Sequence, residues 1–166
     1  MEYINISFFL LTFSSLFTLI NPIGITPILL SITKDLNDNE YTGIIKKGII
    51  VAYLILFIFS LMGSLIFEFY GITINAFMIA GGILFFRSSI DMIEAKVPRS
   101  SSTPKETEEA EEKEDISITP IGIPLIAGPG AITSVMLLSS QAISTADKLI
   151  LHFNIILTLL LTFIIL

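Results

Sequence analysis

The chain contains no cysteine and no tryptophan, has a single histidine, and gives only 14% of its 166 residues to Asp, Glu, Lys and Arg. Without cysteine there is no disulfide framework, thiolate metal site, iron–sulfur cluster or cysteine nucleophile. The nine Lys and Arg form no basic stripe, which excludes nucleic acid as a partner. Scarce charge, a hydrophobic content of 53% and a mean hydropathy of +0.86 exclude a soluble globule, for which roughly 25% charged and about 45–50% apolar residues are usual. The net charge of −6 is largely local, because seven of the fifteen acids fall within residues 106–115.

What remains is apolar helix. A hydrocarbon core about 30 Å thick needs roughly 20 apolar residues of helix. Five spans are expected, at residues 4–33, 48–69, 72–93, 116–141 and 149–166. The first is charge-free but interrupted by Asn21, Pro22, Gly24 and Pro27, so a break or strong kink is expected near Asn21. The second is uninterrupted. In the third, Ala76 and the run Ala80-Gly81-Gly82 would let a neighbouring helix approach closely. The fourth carries Pro120, Pro124, Gly128, Pro129 and Gly130 and is broken like the first. The fifth, 18 residues long, gives about 27 Å of helix, a minimal crossing.

Residues 94–115 switch to Ser, Thr, Pro, Glu and Lys, a composition that cannot offset its ordering entropy and reads as a disordered or partly helical tether. Residues 1–93 therefore form one membrane unit and residues 116–166 a second. The N-terminal segment lacks the basic region and cleavage site of a signal peptide, so the first span should persist. Lys34, Lys46, Lys47, Arg87, Lys96, Arg99, Lys105 and Lys113 flank one side of the spans, and Lys148 alone flanks the other. This asymmetry predicts a multi-pass membrane protein with the N-terminus outside and residues 94–115 in the cytoplasm.

At an offset of 107, the ten residues from Asn21 to Leu30 align with those from Gly128 to Leu137, and Pro, Ile, Thr and the final Leu coincide. Three spans separate the copies, so the pair is expected to be inverted: an incomplete 3+3 repeat lacking its last helix. Paired discontinuous helices are a common build of secondary transporters. Pro22, Pro27, Pro124 and Pro129 lack an N–H, depriving the carbonyls of Thr18, Ile23, Pro120 and Leu125 of their helical donors. In hydrocarbon such groups must find partners or line a wet cavity. Half-helices beginning near Gly24 and Ala131 would point positive N-terminal ends into the membrane, suited to a carboxylate.

The strings Asn21-Pro22-Ile23-Gly24-Ile25-Thr26-Pro27, Gly71-Ile72-Thr73 with Ala76 to Leu84, and Pro120-Ile121-Gly122-Ile123-Pro124-Leu125-Ile126-Ala127-Gly128-Pro129-Gly130-Ala131-Ile132-Thr133 closely resemble the MarC family of prokaryotic membrane proteins. The resemblance implies an inner-membrane protein of six helices, grouped with small-solute transporters and exporters of the LysE type, some of them described as neutral amino acid transporters. This chain ends after its fifth span, which implies either truncation or reliance on homo-oligomerisation.

The candidate substrate-binding residues are Asn21, Pro22, Gly24, Thr26, Gly128, Pro129, Gly130 and Thr133. Asn21 could bond a solute or cap the half-helix after Pro22, and Thr26 and Thr133 could face a ligand or bond back to their own helices. Arg87 and Asp91 are spaced to pair at a helix end. His152 and Asn154 lie in the fifth span without a carboxylate at similar depth. No nucleophile, base and orienting acid share a span, so no enzyme, cofactor or metal centre is expected. The expected fold is an all-α polytopic transmembrane bundle contacting the lipid bilayer and passing a small polar solute. A non-transporting scaffold and an inactive truncated copy are the alternatives.

Overall fold

The structure, a computed structural model, describes residues 5–34, 36–93 and 125–166. The described elements are all helices: α1 (Ile6–Ile20), α2 (Pro22–Ile32), α3 (Asp38–Tyr70), α4 (Ile74–Ile93), α5 (Pro129–Gln141) and α6 (Thr145–Ile165). The all-α class expected from composition is therefore the observed one. The acidic segment 94–115, with Pro120 and Pro124, lies outside the described residues, as does the Asp91 side chain expected to pair with Arg87.

Local chemistry sets the helix ends. Asn5 caps α1 by accepting the Phe8 N–H at 3.0 Å, and α1 buries the stripe Phe8, Thr12, Leu16 and Ile20 at four-residue spacing. The second expected span begins ten residues earlier than hydropathy indicates, because Asn37 and Glu40 form a capping box that starts α3 at Asp38. The Asn37 side chain accepts the Glu40 N–H at 3.1 Å, and the Glu40 carboxylate accepts the Asn37 N–H at 3.0 Å. Gly71, at φ 63°, ends α3 in the left-handed conformation. A second capping box, Ser144 with Asp147, starts α6 at Thr145, four residues before the span expected there.

Among the described residues three stretches, Ile6–Leu30, Asp38–Gly63 and Thr145–Ile165, are long and apolar enough to cross a membrane. The outer surface fits lipid: Leu10, Leu54 and Leu160 are 58%, 50% and 53% exposed. Inside, α5 packs against α3, α1 and α4, while α6 lies along α1 and α3. The α1 and α6 helices run in the same direction, since Asn5 reaches Asp147 at the start of α6 and Phe9 meets Phe153 and Asn154 further along. One core holds the bundle, including Leu16, Ile20, Leu29, Leu56, Val135 and Ile155.

Between lipid-embedded helices the hydrophobic drive is weak, so close contact and hydrogen bonds carry the association. Two glycines supply the close contact. A β-carbon at Gly63 would lie 3.2 Å from the Met136 backbone, and one at Gly81 would lie 2.8 Å from the Thr133 methyl group. The approach expected at Ala80-Gly81-Gly82 thus occurs at Gly81, with α5 as the neighbour. At Gly82 no neighbouring helix among the described residues comes within 4 Å of the β-carbon position.

Candidate functional site at the helix breaks

The first break is a single residue. Asn21 stands at φ 47°, ψ 60°, left-handed, where it ends α1 by donating its N–H to Phe17 O at 3.0 Å. Asparagine tolerates this conformation better than most side chains. The same residue begins α2: its Oδ1 accepts the Gly24 N–H at 3.2 Å, and its carbonyl accepts the Ile25 N–H at 3.1 Å. Pro22 occupies the first helical position, where its missing N–H has no bond to lose. A β-carbon at Gly24 would sit 2.7 Å from Asn21 Cγ, so this cap requires glycine at position 24.

The expected break at Asn21 is present, and its side chain caps α2 while remaining partly exposed. Thr26 is half-buried and donates to Pro22 O at 2.8 Å. Pro27 lies within α2.

The second helix start matches the first at the offset of 107. Gly128 is the N-cap and Pro129 the first helical residue of α5, as Asn21 and Pro22 are for α2. The chemistry differs. Gly128 is extended, at φ −67° and ψ 167°, and as N-cap it gives α5 no side-chain hydrogen bond; its carbonyl accepts the Ile132 N–H at 3.1 Å. Gly128 and Gly130 are half-buried, Pro129 is exposed, and Ala131 is buried. The Thr133 methyl group packs on Gly81.

The two starts share a core. Ile20 and Ile25, flanking the first, and Ile126, Ala127 and Ala131, flanking the second, belong to one buried cluster.

Hydropathy reasoning missed two polar constellations. Ser60 of α3 donates to Phe57 O at 2.7 Å and lies 3.1 Å from His152 Nε2, while His152 Nδ1 lies 2.6 Å from Lys148 O. Ser139 of α5 donates to the Ser60 carbonyl, so one polar chain joins α3, α5 and α6. The second constellation lies between α1 and α6. Asn154 Nδ2 donates to Phe9 O at 2.9 Å and to Thr12 Oγ1, and Asn154, Thr12, Thr158 and Thr162 are all fully buried. Its only sequence signal is the four-residue spacing Asn154, Thr158, Thr162 inside an apolar run. Among the described residues no group of His, Asp and Glu could hold a metal ion.

A family model described as "MarC family integral membrane protein" matches residues 6–166. The UPF0056 membrane protein MJ0972 of Methanocaldococcus jannaschii is 43% identical over 148 residues, covering 89% of this chain and 65% of the relative. MJ1677 of the same organism is 39% identical over 163 residues, covering 96% and 77%. The UPF0056 membrane protein YvbG of Bacillus subtilis is 42% identical over 135 residues, covering 81% and 64%. The chain thus spans 64–77% of the length of these relatives. No solved structure matches it significantly. A match over nearly the whole chain, on a fold with three membrane-length apolar stretches and an outward apolar surface, settles the assignment: the chain belongs to the MarC family of integral membrane proteins.

Proposed function

We propose that this protein passes a small polar solute, with neutral amino acids as the candidate class, across the cytoplasmic membrane, and that the helix starts at Asn21 and Gly128 meet the solute's anionic group. The observation that carries this reading is the left-handed Asn21 inside an otherwise apolar membrane-length stretch. A continuous helix would satisfy every backbone group there, so an interruption needs a reason beyond crossing the bilayer. Helix N-termini within a membrane favour anionic groups, and α5 begins without a side-chain cap competing for its first N–H groups.

In this reading Asn21, Pro22, Gly24 and Thr26 form one lip of the site and Gly128, Pro129, Gly130 and Thr133 the other, as counterparts in an inverted repeat. The N-terminus lies outside, by the lysine and arginine asymmetry. A scaffold using small-residue faces is the weaker reading, because Gly63 and Gly81 already receive α5 within the same chain.

The test is flux of labelled neutral amino acids in proteoliposomes holding the full chain. Saturable uptake or efflux is expected, reduced about tenfold or more in Asn21→Ala while membrane insertion is retained. Flux no greater than in empty liposomes across the panel, or flux indifferent to both Asn21→Ala and Gly130→Ala, would overturn the reading.

A further inference from the structure

Away from the two breaks, α6 carries Asn154, Thr158 and Thr162 at successive four-residue steps, each 0% exposed. A hydroxyl in an apolar helix ordinarily bonds back to the carbonyl one turn earlier. Thr162 does so, donating to Thr158 O at 2.8 Å, as do Thr12, Thr26 and Thr33 on their own helices. Thr158 does not, and its Oγ1 is buried with no hydrogen-bond partner.

One turn earlier the Asn154 amide is in the same position. Its orientation is fixed by Phe9 O, which can only accept, and by the Thr12 hydroxyl, whose proton faces Phe8 O at 2.8 Å and Phe9 O at 3.0 Å. Flipping the amide would set oxygen against oxygen at Phe9. Oδ1 is therefore the atom left over, and it too is buried without a partner.

Two open oxygens thus lie one turn apart on one helix face. Asn154 is about 14 Å and Thr158 about 20 Å along a helix of about 31 Å, so they flank mid-membrane depth, where lipid provides no donor. The α1 segment has no titratable side chain, and the charged residues of α6, Asp147 and Lys148, lie at its start. Divalent cations call for carboxylates, whereas neutral amide and hydroxyl oxygens suit a monovalent one. We propose that Asn154 Oδ1 and Thr158 Oγ1 are ligands of a small monovalent cation of the sodium class, held at mid-membrane depth between α1 and α6. The site is separate from the helix breaks, and its test reads cation binding and not flux, so its failure is distinguishable from failure of the solute reading.

The purified full chain in detergent micelles is melted in sodium chloride and in choline chloride at equal ionic strength. Sodium is expected to raise the melting temperature saturably, by about 3–6 °C at a tenfold excess over its dissociation constant. Thr158→Val, which keeps the shape and removes the hydroxyl, should abolish the increment, and Thr158→Ser should retain it. Equal melting of the native chain in both salts overturns the proposal. A sodium increment that survives Thr158→Val also overturns it. Where the valine variant does not fold, the native comparison with the serine variant decides.

Discussion

The side chain of Asn21 fills the space that a β-carbon at Gly24 would need, with Asn21 Cγ 2.7 Å and Oδ1 3.0 Å from that position. The two residues form one device: the left-handed asparagine stops α1, folds its amide over position 24, and starts α2 on the N–H it finds there. Gly24→Ala should therefore act like loss of the cap, destabilising the protein by about 1 kcal/mol. Asn21→Gly keeps the left-handed backbone and loses little, whereas Asn21→Ala loses the cap and also meets the left-handed penalty of about 1–2 kcal/mol. Denaturant unfolding in micelles should rank native, then Asn21→Gly, then Asn21→Ala.

Gly81 and Thr133 should be coupled energetically. A β-carbon at Gly81 meets the Thr133 methyl group at 2.8 Å, and the β-branched threonine is stiff about χ1. Gly81→Ala alone should cost about 1–3 kcal/mol through overpacking. Thr133→Ser removes the opposing methyl group, so the double variant should recover most of that loss. A double-mutant cycle measures the recovery, and strict additivity would show that α4 and α5 do not meet there.

Ser60 and His152 join α3 to α6 across 3.1 Å. His152→Phe removes the contacts to Ser60 Oγ and to Lys148 O and should cost about 1–3 kcal/mol, the net value of two hydrogen bonds, with little loss of packing against Phe57. Ser60→Ala should add little on that background. Thermal melting of the two single variants and the double one checks the shared loss.

Asn37→Ala should fray the start of α3. Removing the cap costs about 1 kcal/mol and frees the Asn39 and Glu40 N–H groups that Asn37 now accepts. Hydrogen exchange should accelerate about fivefold at residues 39–42 and leave the rest of α3 unchanged. Acceleration along the whole helix would show that the cap sets more than its own turn.

The parts of this architecture written in local chemistry are legible in the sequence. Proline beside a capping residue marks a helix boundary, so the stop at Asn21 and the start at Pro129 follow from neighbouring residues, whereas Pro27, Gly63 and Gly81 lie inside helices that continue past them. The helix starts at Asp38 and Thr145 are equally local, yet hydropathy places them too late. It registers where a helix enters lipid, while the capping boxes Asn37 with Glu40 and Ser144 with Asp147 mark where hydrogen bonding begins. Gly81 was half-legible: a small side chain announces that something comes close, and only packing identifies Thr133. The pairings of Asn154 with Phe9 and His152 with Ser60 bridge 145 and 92 positions, and no local signal names such partners. The spatial relation of the two candidate lips depends on the same kind of long-range packing.

The α3 helix has 33 residues, about 50 Å of rigid rod set against about 30 Å of hydrocarbon. Even tilted by 40°, the upper end of the usual range, it reaches about 38 Å along the bilayer normal, so about two turns must stand clear of the core. The polar end, with Asp38, Glu40, Lys46 and Lys47, is the one suited to water. The span therefore doubles as a post that holds residues 38–44 off the membrane surface like a handle. In a chain without cysteine, a single one placed at Asn39 would be a unique chemical tag on that handle, and labelling it from either side would show which way the bundle faces.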